Sequence, residues 1–206
     1  LLHRLAGGNM LRLTTCRRSD VVLFAYYSSL IAGGTRFHQS IADVLAEARR
    51  MFPEAPARHN LVISHRKRVA INRQMNNANV GQGAVFLKAS PTHGQNNATQ
   101  SMWLWPGLEV LGVCSAVKKG IRTNCLYTIS HVSPESITLE GGLSLTHVQA
   151  LTWLRLSYAR TYASMQGTEF SESIRLYDTS NPHFTHRHLF VAVSRAMAGA
   201  VISIAD

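Results

Sequence analysis

The sequence predicts an α/β fold: a parallel sheet flanked by helices, with a small inserted β-rich subdomain that is barrel-like. Two observations carry this prediction. In the last third of the chain, short strand patterns alternate with helical patterns, which is typical of right-handed βαβ units with parallel strands. Between residues 103 and 139, by contrast, short strand patterns are separated only by turn residues, which favours an antiparallel, barrel-like unit.

The first sixty residues predict one strand and two helices. Residues 10–14 form the strand pattern. Ser19-Asp20 begins the first helix and Ser40 caps the second, because short polar side chains satisfy the first free N–H groups of a helix. Gly33-Gly34 predicts where the first helix stops, and the second must end before Pro53.

The middle of the chain changes character twice. Residues 61–63 predict a compact strand, and a basic helix follows from residue 66 to about residue 75. Residues 76–100 are rich in Asn, Gln, Gly, Ser and Thr, which predicts an excursion on the surface. The strands of the β-rich part are then expected at residues 109–113, 125–130 and 136–139.

The last third is the most regular part. Strands are expected at residues 152–158, 173–177 and 200–204, with one helix beginning at about residue 163 and another at residues 185–197. In the second helix the apolar residues recur at helical spacing, so that face is expected to pack on the sheet. Arg195 flanks this face and is expected to point outward.

The charge balance points to a polyanionic partner. The chain of 206 residues has 21 Lys and Arg against 11 Asp and Glu, a formal net charge of +10, and 17 of the 21 are arginine. Arginine favours planar, bidentate contact with phosphate, so nucleic acid is the partner that we expect. Ordinary solubility charge is the alternative.

Other classes of protein and site are excluded by composition. With 46% hydrophobic residues the chain has enough apolar material for a core, and no apolar run is long enough to span a bilayer, so no membrane partner is expected. The three cysteines form no CxxC pair and the histidines lack ligand spacing, so we predict no metal site. We interpret His183, His186 and His188 as surface residues and expect a reducing intracellular compartment, cytoplasm or nucleus.

Two stretches near the C-terminus carry a family resemblance. Residues 158–170 read YARTYASMQGTEF and residues 189–196 read LFVAVSRA. They resemble the last two motifs of superfamily 1 helicases of the UvrD, RecD and PIF-like branches, whose patterns are roughly YAxTxxxxQGxEF and LYVALSRA. The resemblance implies a RecA-like second motor domain, the C-terminal half of a motor that couples ATP hydrolysis to movement along a single strand.

The resemblance also implies a domain division. Residues 1–20 would be the end of the first motor domain. Residues 21–76 and 141–206 would form the RecA-like second motor domain. Residues 77–140 would be a flexible excursion and a small β-rich insert. The chain begins with Leu rather than Met, from which we expect a fragment of a longer protein.

The resemblance implies two catalytic arginines and a nucleotide-binding turn. Arg195 corresponds to the arginine finger, which stabilises charge on the transferred γ-phosphate. Arg18 corresponds to a second γ-phosphate arginine, with Arg17 as the alternative because Cys16 stands where the family pattern has Asn. Gln166-Gly167 corresponds to the turn beside the phosphates, and Glu169 to a carboxylate that binds the ribose. For an isolated arginine, a solvated surface position is the alternative.

The nucleic-acid contacts implied by the resemblance lie elsewhere. Thr161 corresponds to a threonine that touches the strand backbone. Residues 61–72 resemble an intermediate helicase motif, in which Ser64, His65 and Arg66 are candidates for strand contact; a solvated basic helix is the alternative. DNA is favoured over RNA as the strand. The usual His-Lys of the family is replaced by Ala163-Ser164, which removes one expected contact.

The phosphate-binding half of such a motor is missing from the sequence. No GxxxxGK[ST] loop occurs, and no strand carries an Asp-Glu pair for magnesium. ATP with Mg²⁺ would therefore be bound mainly by an N-terminal motor domain, the expected protein partner, and this chain alone is not expected to hydrolyse ATP. Two alternatives remain open: a non-catalytic nucleic-acid-binding module derived from a helicase fold, and a regulatory domain that binds nucleotide without turnover.

Overall fold

The computed structural model of the chain describes residues 18–89, 100–113, 120–165 and 167–205. The helices are α1 (Val21–Ser28), α2 (Ile41–Met51), α3 (His65–Ala78), α4 (His147–Trp153) and α5 (His186–Val193). The strands are β1 (His59–Val62), β2 (Val85–Leu87), β3 (Met102–Leu104), β4 (Glu109–Gly112), β5 (Leu126–Val132), β6 (Ser136–Leu139), β7 (Ser144–Thr146), β8 (Leu154–Leu156), β9 (Ala159–Thr161), β10 (Ile174–Leu176) and β11 (Ile202–Ile204). Short 3₁₀ turns lie at Tyr162–Met165 and Gly199–Val201.

A four-stranded parallel sheet organises one half of the molecule, with the order β11-β10-β1-β9. Leu61 in β1 lies opposite Leu176 on one side and Arg160 on the other. All four residues of β1 are buried, as expected for a strand covered on both faces. Helices α1, α2 and α5 add apolar side chains to the core of this sheet. The predicted α/β class, with a parallel sheet flanked by helices, is confirmed.

The β-rich part is an antiparallel sheet of five strands in the order β7-β6-β5-β4-β8, beside the two-stranded pair β2-β3. It has its own core, built around side chains such as Val110, Ile129 and Leu156. Within the described residues β7 and β8 are edge strands, so this sheet is open rather than a closed barrel. Because β7 and β8 lie after residue 140, the antiparallel sheet extends past the predicted boundary of the insert; the domain division stays a prediction.

Helix α3 joins the parallel sheet to the two-stranded pair β2-β3 through two buried asparagines one turn apart. The Asn72 side chain accepts from the backbone N–H of Ala159 at 2.8 Å and donates to its carbonyl at 3.3 Å. The Asn76 side chain pairs with both backbone groups of Trp103 in the same way, at 2.8 and 2.9 Å. Each asparagine thus satisfies the free backbone groups at the edge of a strand, β9 in the parallel sheet and β3 in the two-stranded pair.

The strand predicted at residues 152–158 is confirmed only at residues 154–156, and it belongs to the antiparallel sheet and not to the parallel sheet. Thr146 and Gln149 form a capping box that begins α4, and this helix runs to Trp153. The next three residues form β8, which pairs with β4 in the antiparallel sheet, and the chain enters the parallel sheet only at β9. Ser157, between the two strands, donates a hydrogen bond to the carbonyl of Glu109 at 2.9 Å.

Two predicted helices are shorter than expected. The helix predicted from residue 163 is a single 3₁₀ turn, because Ser164 bonds back to the Thr161 carbonyl and the chain turns at Gly167 with a φ of 87°. The helix predicted to reach residue 197 ends at Val193, because the carbonyl of Arg195 accepts instead from the N–H of Phe170. The strand predicted at residues 10–14 lies outside the described residues. No helix in the described ranges is long and apolar enough to cross a membrane.

Candidate nucleotide and nucleic-acid site

Three distant segments of the chain meet beside the end of α5. Phe170 forms an isolated parallel β-bridge with Ala196, and its N–H donates to the Arg195 carbonyl at 2.8 Å. The Ser19 hydroxyl donates to the Ala196 carbonyl at 3.0 Å. Asp20 then caps α1 by accepting from Leu23, and its second carboxylate oxygen accepts from the N–H of Gly199. These bonds hold the neighbouring residues Arg18, Glu169 and Arg195 together.

Arg18, Glu169 and Arg195 form what we call the two-arginine cluster. Nη1 of Arg18 lies 3.4 Å from Oε1 of Glu169, and both side chains remain open to solvent, at 34% and 58% exposure. Burial, followed by the nearby charge of Arg18, lowers the pKa of Arg195, while Glu169 opposes that shift. Nε of Arg195 is buried and has no hydrogen-bond partner in the described part of the chain. One carboxylate therefore lies in contact with one guanidinium group and near a second, and the net positive charge of this arrangement fits a phosphate.

Arg195 directly follows Ser194, the C-cap of α5, and it is half-buried. The expectation that it points freely outward from a helix face is therefore wrong. Gly167 has a φ of 87°, and an added Cβ would meet nothing within 4 Å. Its backbone conformation, rather than crowding by protein atoms, favours glycine there. Gln166 and Arg17 lie outside the described residues.

The candidate strand-contacting residues lie at the carboxyl end of the parallel sheet. Ser64 caps α3 by accepting from the N–H of Lys67 at 3.1 Å, and His65 and Arg66 are exposed on the first turn. Thr161 ends β9, opposite Val62 at the end of β1. Thr161 is only 7% exposed, however, so most of its side chain is covered.

The two groups of candidate residues lie at opposite ends of the sheet. The ring of Phe170, next to the two-arginine cluster, packs 4.8 Å from the ring of His59, the first residue of β1. Ser64 follows the last residue of the same strand. The structure therefore joins the three charged nucleotide candidates into one cluster, and it places the strand-contact candidates together at the other end of β1.

Three buried arginines were not anticipated as a group. Arg68, Arg155 and Arg160 are 0%, 8% and 1% exposed, so Arg68 is not part of the exposed basic surface that the sequence suggested. Burial, with the nearby charge of Arg155, lowers the pKa of Arg68 and of Arg160 to about 10. No nitrogen of the Arg160 guanidinium has a hydrogen-bond partner among the described residues. The burial of Arg160 could have been inferred from the sequence, because this residue lies in a strand between Ala159 and Thr161, which are also buried.

A cavity of about 350 Å³ lies between the parallel sheet and the five-stranded antiparallel sheet, and the sequence did not predict it. Arg58 borders it and binds Glu109 of the antiparallel sheet at 2.6 Å and Glu172 at 2.5 Å. Trp105 and Tyr158 supply aromatic walls. Trp105 packs against the core of the antiparallel sheet. The described residues contain no group of three His, Cys, Asp or Glu side chains that could hold a metal ion.

Comparison with solved structures shows what fold this is. A structure of two coordinating Pif1 helicases at forked double-stranded DNA matches with a TM-score of 0.62 and 17% identity, covering 93% of this chain and 48% of that one. Bacteroides Pif1 in complex with ADP-AlF3 and single-stranded DNA matches with a TM-score of 0.60 and 15% identity, covering 95% and 52%. Pif1 from Candida albicans matches with a TM-score of 0.58 and 14% identity, covering 91% and 53%.

No family model matches the chain, and no curated protein matches it. The chain spans about half the length of the solved structures that it matches. At these identities the likeness concerns the fold. The chain therefore has the mixed α/β fold of about half of a Pif1 helicase structure, as the two C-terminal motifs predicted.

Proposed function

We propose that the chain is the C-terminal half of an ATP-dependent superfamily 1 DNA helicase, and that it supplies the arginine finger and part of the single-strand track. The observation that carries this proposal is the two-arginine cluster. Residues far apart in the sequence, each suggested by a different helicase motif, meet at one surface through specific backbone bonds. The two arginines and one carboxylate leave a net positive charge at this surface, which suits an anionic phosphate.

In this proposal Arg195 and Arg18 face the γ-phosphate, and the turn at Gly167 lies beside the phosphates together with Gln166. ATP with Mg²⁺, held mainly by an N-terminal motor domain, supplies the phosphoryl group that is transferred to water. The residues present fit this role, because Nε of Arg195 has no protein partner among the described residues and the cluster carries an excess of positive charge. The ion pair with Arg18 uses Oε1 of Glu169, so Oε2 is available to accept a hydrogen bond from a ribose hydroxyl.

The strand would pass over the carboxyl end of the parallel sheet. Ser64, His65 and Arg66 offer a hydroxyl, a ring nitrogen and a guanidinium at the first turn of α3. Contacts of these kinds bind the phosphate backbone without reading its sequence. One solved neighbour is described as bound to single-stranded DNA. This supports DNA as the strand for the present chain.

Reconstitution tests the proposal. The chain is co-expressed with an N-terminal motor half that carries a phosphate-binding loop, and strand-stimulated ATP hydrolysis is measured. We expect hydrolysis to return, and Arg195→Ala to reduce it by about 10³- to 10⁵-fold. Arg50→Ala is the matched control, because Arg50 is an exposed arginine on α2. Restored hydrolysis that survives Arg195→Ala would show that Arg195 is not the arginine finger.

A second function is favoured by one feature of the sequence. Ala163-Ser164 stands where the motif suggests His-Lys, so the chain could be a non-catalytic nucleic-acid-binding module with a helicase fold. Strand binding by the chain, with no hydrolysis in any reconstituted pair, would support this module over the motor. Absence of both strand binding and ATP hydrolysis would exclude both the motor and the non-catalytic module.

A further inference from the structure

A second cavity lies at the carboxyl end of the parallel sheet, in a place that the proposed contacts do not use. Its volume is about 280 Å³, and it is lined by Tyr162, Ala163, Arg187, His188 and Val191. Tyr162 and Ala163 belong to the 3₁₀ turn that directly follows β9, and the other three residues come from α5. The cavity is therefore next to Thr161, the last residue of β9 and a candidate for strand contact.

The cavity has an apolar floor and a basic rim. Tyr162 is almost fully buried, and its hydroxyl already donates to the Tyr177 carbonyl at 2.8 Å, so only the edge of its ring that lines the cavity can contact a ligand. Ala163 and Val191 add small aliphatic surfaces. Arg187 is exposed and takes part in no ion pair or hydrogen bond among the described residues. No carboxylate from the described parts of the chain lines the cavity.

His188 is held in one orientation. Its Nδ1 accepts from the backbone N–H of Thr185 at 3.2 Å and lies 2.9 Å from the Thr185 hydroxyl. Its ring stacks on Phe184 and meets Tyr162 edge to face, each at 5.6 Å between ring centres. Because Nδ1 accepts, the neutral ring carries its proton on Nε2. Burial, with the nearby charge of Arg187, lowers the pKa of His188, so the ring is a neutral donor near pH 7.

An apolar floor, a fixed neutral donor and an unpaired cation suit a ligand with an apolar part and one anionic group. A nucleotide within a single strand has this character, because its base and sugar can pack on small apolar or aromatic side chains while its phosphate faces a cation. A free inorganic anion would leave the floor unused. A wholly apolar ligand would leave Arg187 without a role.

We propose that this cavity holds one nucleotide of the single strand, with Arg187 on its phosphate and the base or sugar against Ala163, Val191 and the ring of Tyr162. The inference rests on the proposed strand track, which crosses the same end of the sheet. Ala163 is small, and this is what leaves the cavity open. The side chains that grip the strand here come from α5 instead of from the turn after β9.

Strand binding by the 206-residue chain tests this inference. Fluorescence anisotropy is recorded with a labelled oligo-dT of about 16 nucleotides at several salt concentrations. We expect Arg187→Ala to weaken binding about tenfold at low salt and to reduce the slope of log K against log[salt] by about 0.7, the value for one phosphate contact on a single strand. Arg50→Ala, which removes the same charge from α2, is expected to change both quantities much less.

A second variant tests the cavity itself without changing the charge. Ala163→Leu fills the floor and is expected to weaken binding several-fold, whereas Ala46→Leu, at an exposed alanine of α2, is expected to leave it unchanged. Melting temperatures close to that of the parent chain confirm that the variants are folded. Equal losses for Arg187→Ala and Arg50→Ala, or parental binding by Ala163→Leu, would overturn the cavity as a nucleotide site while leaving the strand track intact. Absence of strand binding by the parent chain itself would overturn the proposed function, and this inference with it.

Discussion

Phe170 and Ala196 pair as an isolated parallel β-bridge, and this bridge places Glu169 beside Arg195. The N–H of Met197 also donates to the Phe170 carbonyl at 3.1 Å, so the contact is held from both sides of Ala196. The two-arginine cluster is thus positioned by backbone bonds, not by its own side chains. Side-chain substitutions in the cluster should therefore change its charge with little effect on its geometry.

We expect Glu169→Ala to impair nucleotide binding more than stability. Its ion pair with Arg18 is exposed, so the free energy of unfolding should change by less than about 1 kcal/mol. In the reconstituted motor, loss of a carboxylate hydrogen bond to the ribose should raise the KM for ATP about tenfold with a smaller effect on kcat. Steady-state kinetics and urea unfolding measure the two effects.

Glu172→Ala is the matched control for that variant, because Glu172 is another exposed carboxylate that binds an arginine, Arg58, outside the two-arginine cluster. It should leave the KM for ATP near the parental value. Equal increases in KM for the two variants would contradict a ribose contact by Glu169, since they would reflect general charge alone.

We expect Arg160→Met to stabilise the chain. Arg160 is 1% exposed and its guanidinium has no hydrogen-bond partner among the described residues, so the nearby charge of Glu109 and the ring of Phe170, 6.0 Å away, offset its burial only in part. Replacement by an apolar side chain of similar length should raise the free energy of unfolding by about 1–4 kcal/mol. Burial, with the nearby charge of Arg155, lowers the pKa of Arg160 from its usual value to about 10, so this penalty is fully present at every pH below about 10.

Urea unfolding at neutral pH measures that gain. Arg175→Met is the control, because Arg175 forms an ion pair with Glu54 and should show no comparable gain. A loss of stability in Arg160→Met would contradict the prediction, since it would mean that the folded chain stabilises this charge.

We expect His59 to make the fold sensitive to acid. Burial lowers the pKa of His59 below 6.5; the hydrogen bond with Glu172 at 3.1 Å opposes this shift, and the charge of Arg160 adds to it. The unfolded chain therefore binds a proton at higher pH than the native chain. Stability present above pH 6.5 should be lost as the pH falls through the native pKa.

Unfolding free energies measured from about pH 7 to pH 5 check this pH dependence. His59→Phe, which keeps a ring against Phe170, should flatten the profile. His131→Phe, at an exposed histidine of β5, should not. Identical slopes for the parent chain and His59→Phe would contradict the assignment. His65 and His188, whose pKa values are also lowered by burial, would account for any slope that remains.

Local chemistry explains which elements could be predicted. Asp20, Ser40 and Ser64 each cap a helix through their own side chains, so these helix starts are visible in the sequence. The end of α5 could not be predicted in this way, because the backbone bond from Phe170 that replaces its last turn comes from a distant residue. The division of residues 154–161 between two sheets could not be predicted either, because the strands that pair with β8 and β9 are also distant in the sequence.

The sequence by itself determined the α/β class, the β-rich insertion, the helix caps and the identity of the candidate charged residues, since these depend on residue type and short-range spacing. Only the tertiary structure decided that Arg18, Glu169 and Arg195 share one surface, that Arg68 and Arg160 are buried, and that Arg187 and His188 border a cavity beside Ala163. Those facts depend on strand order and on backbone bonds between distant segments. Local residue patterns do not specify such long-range contacts.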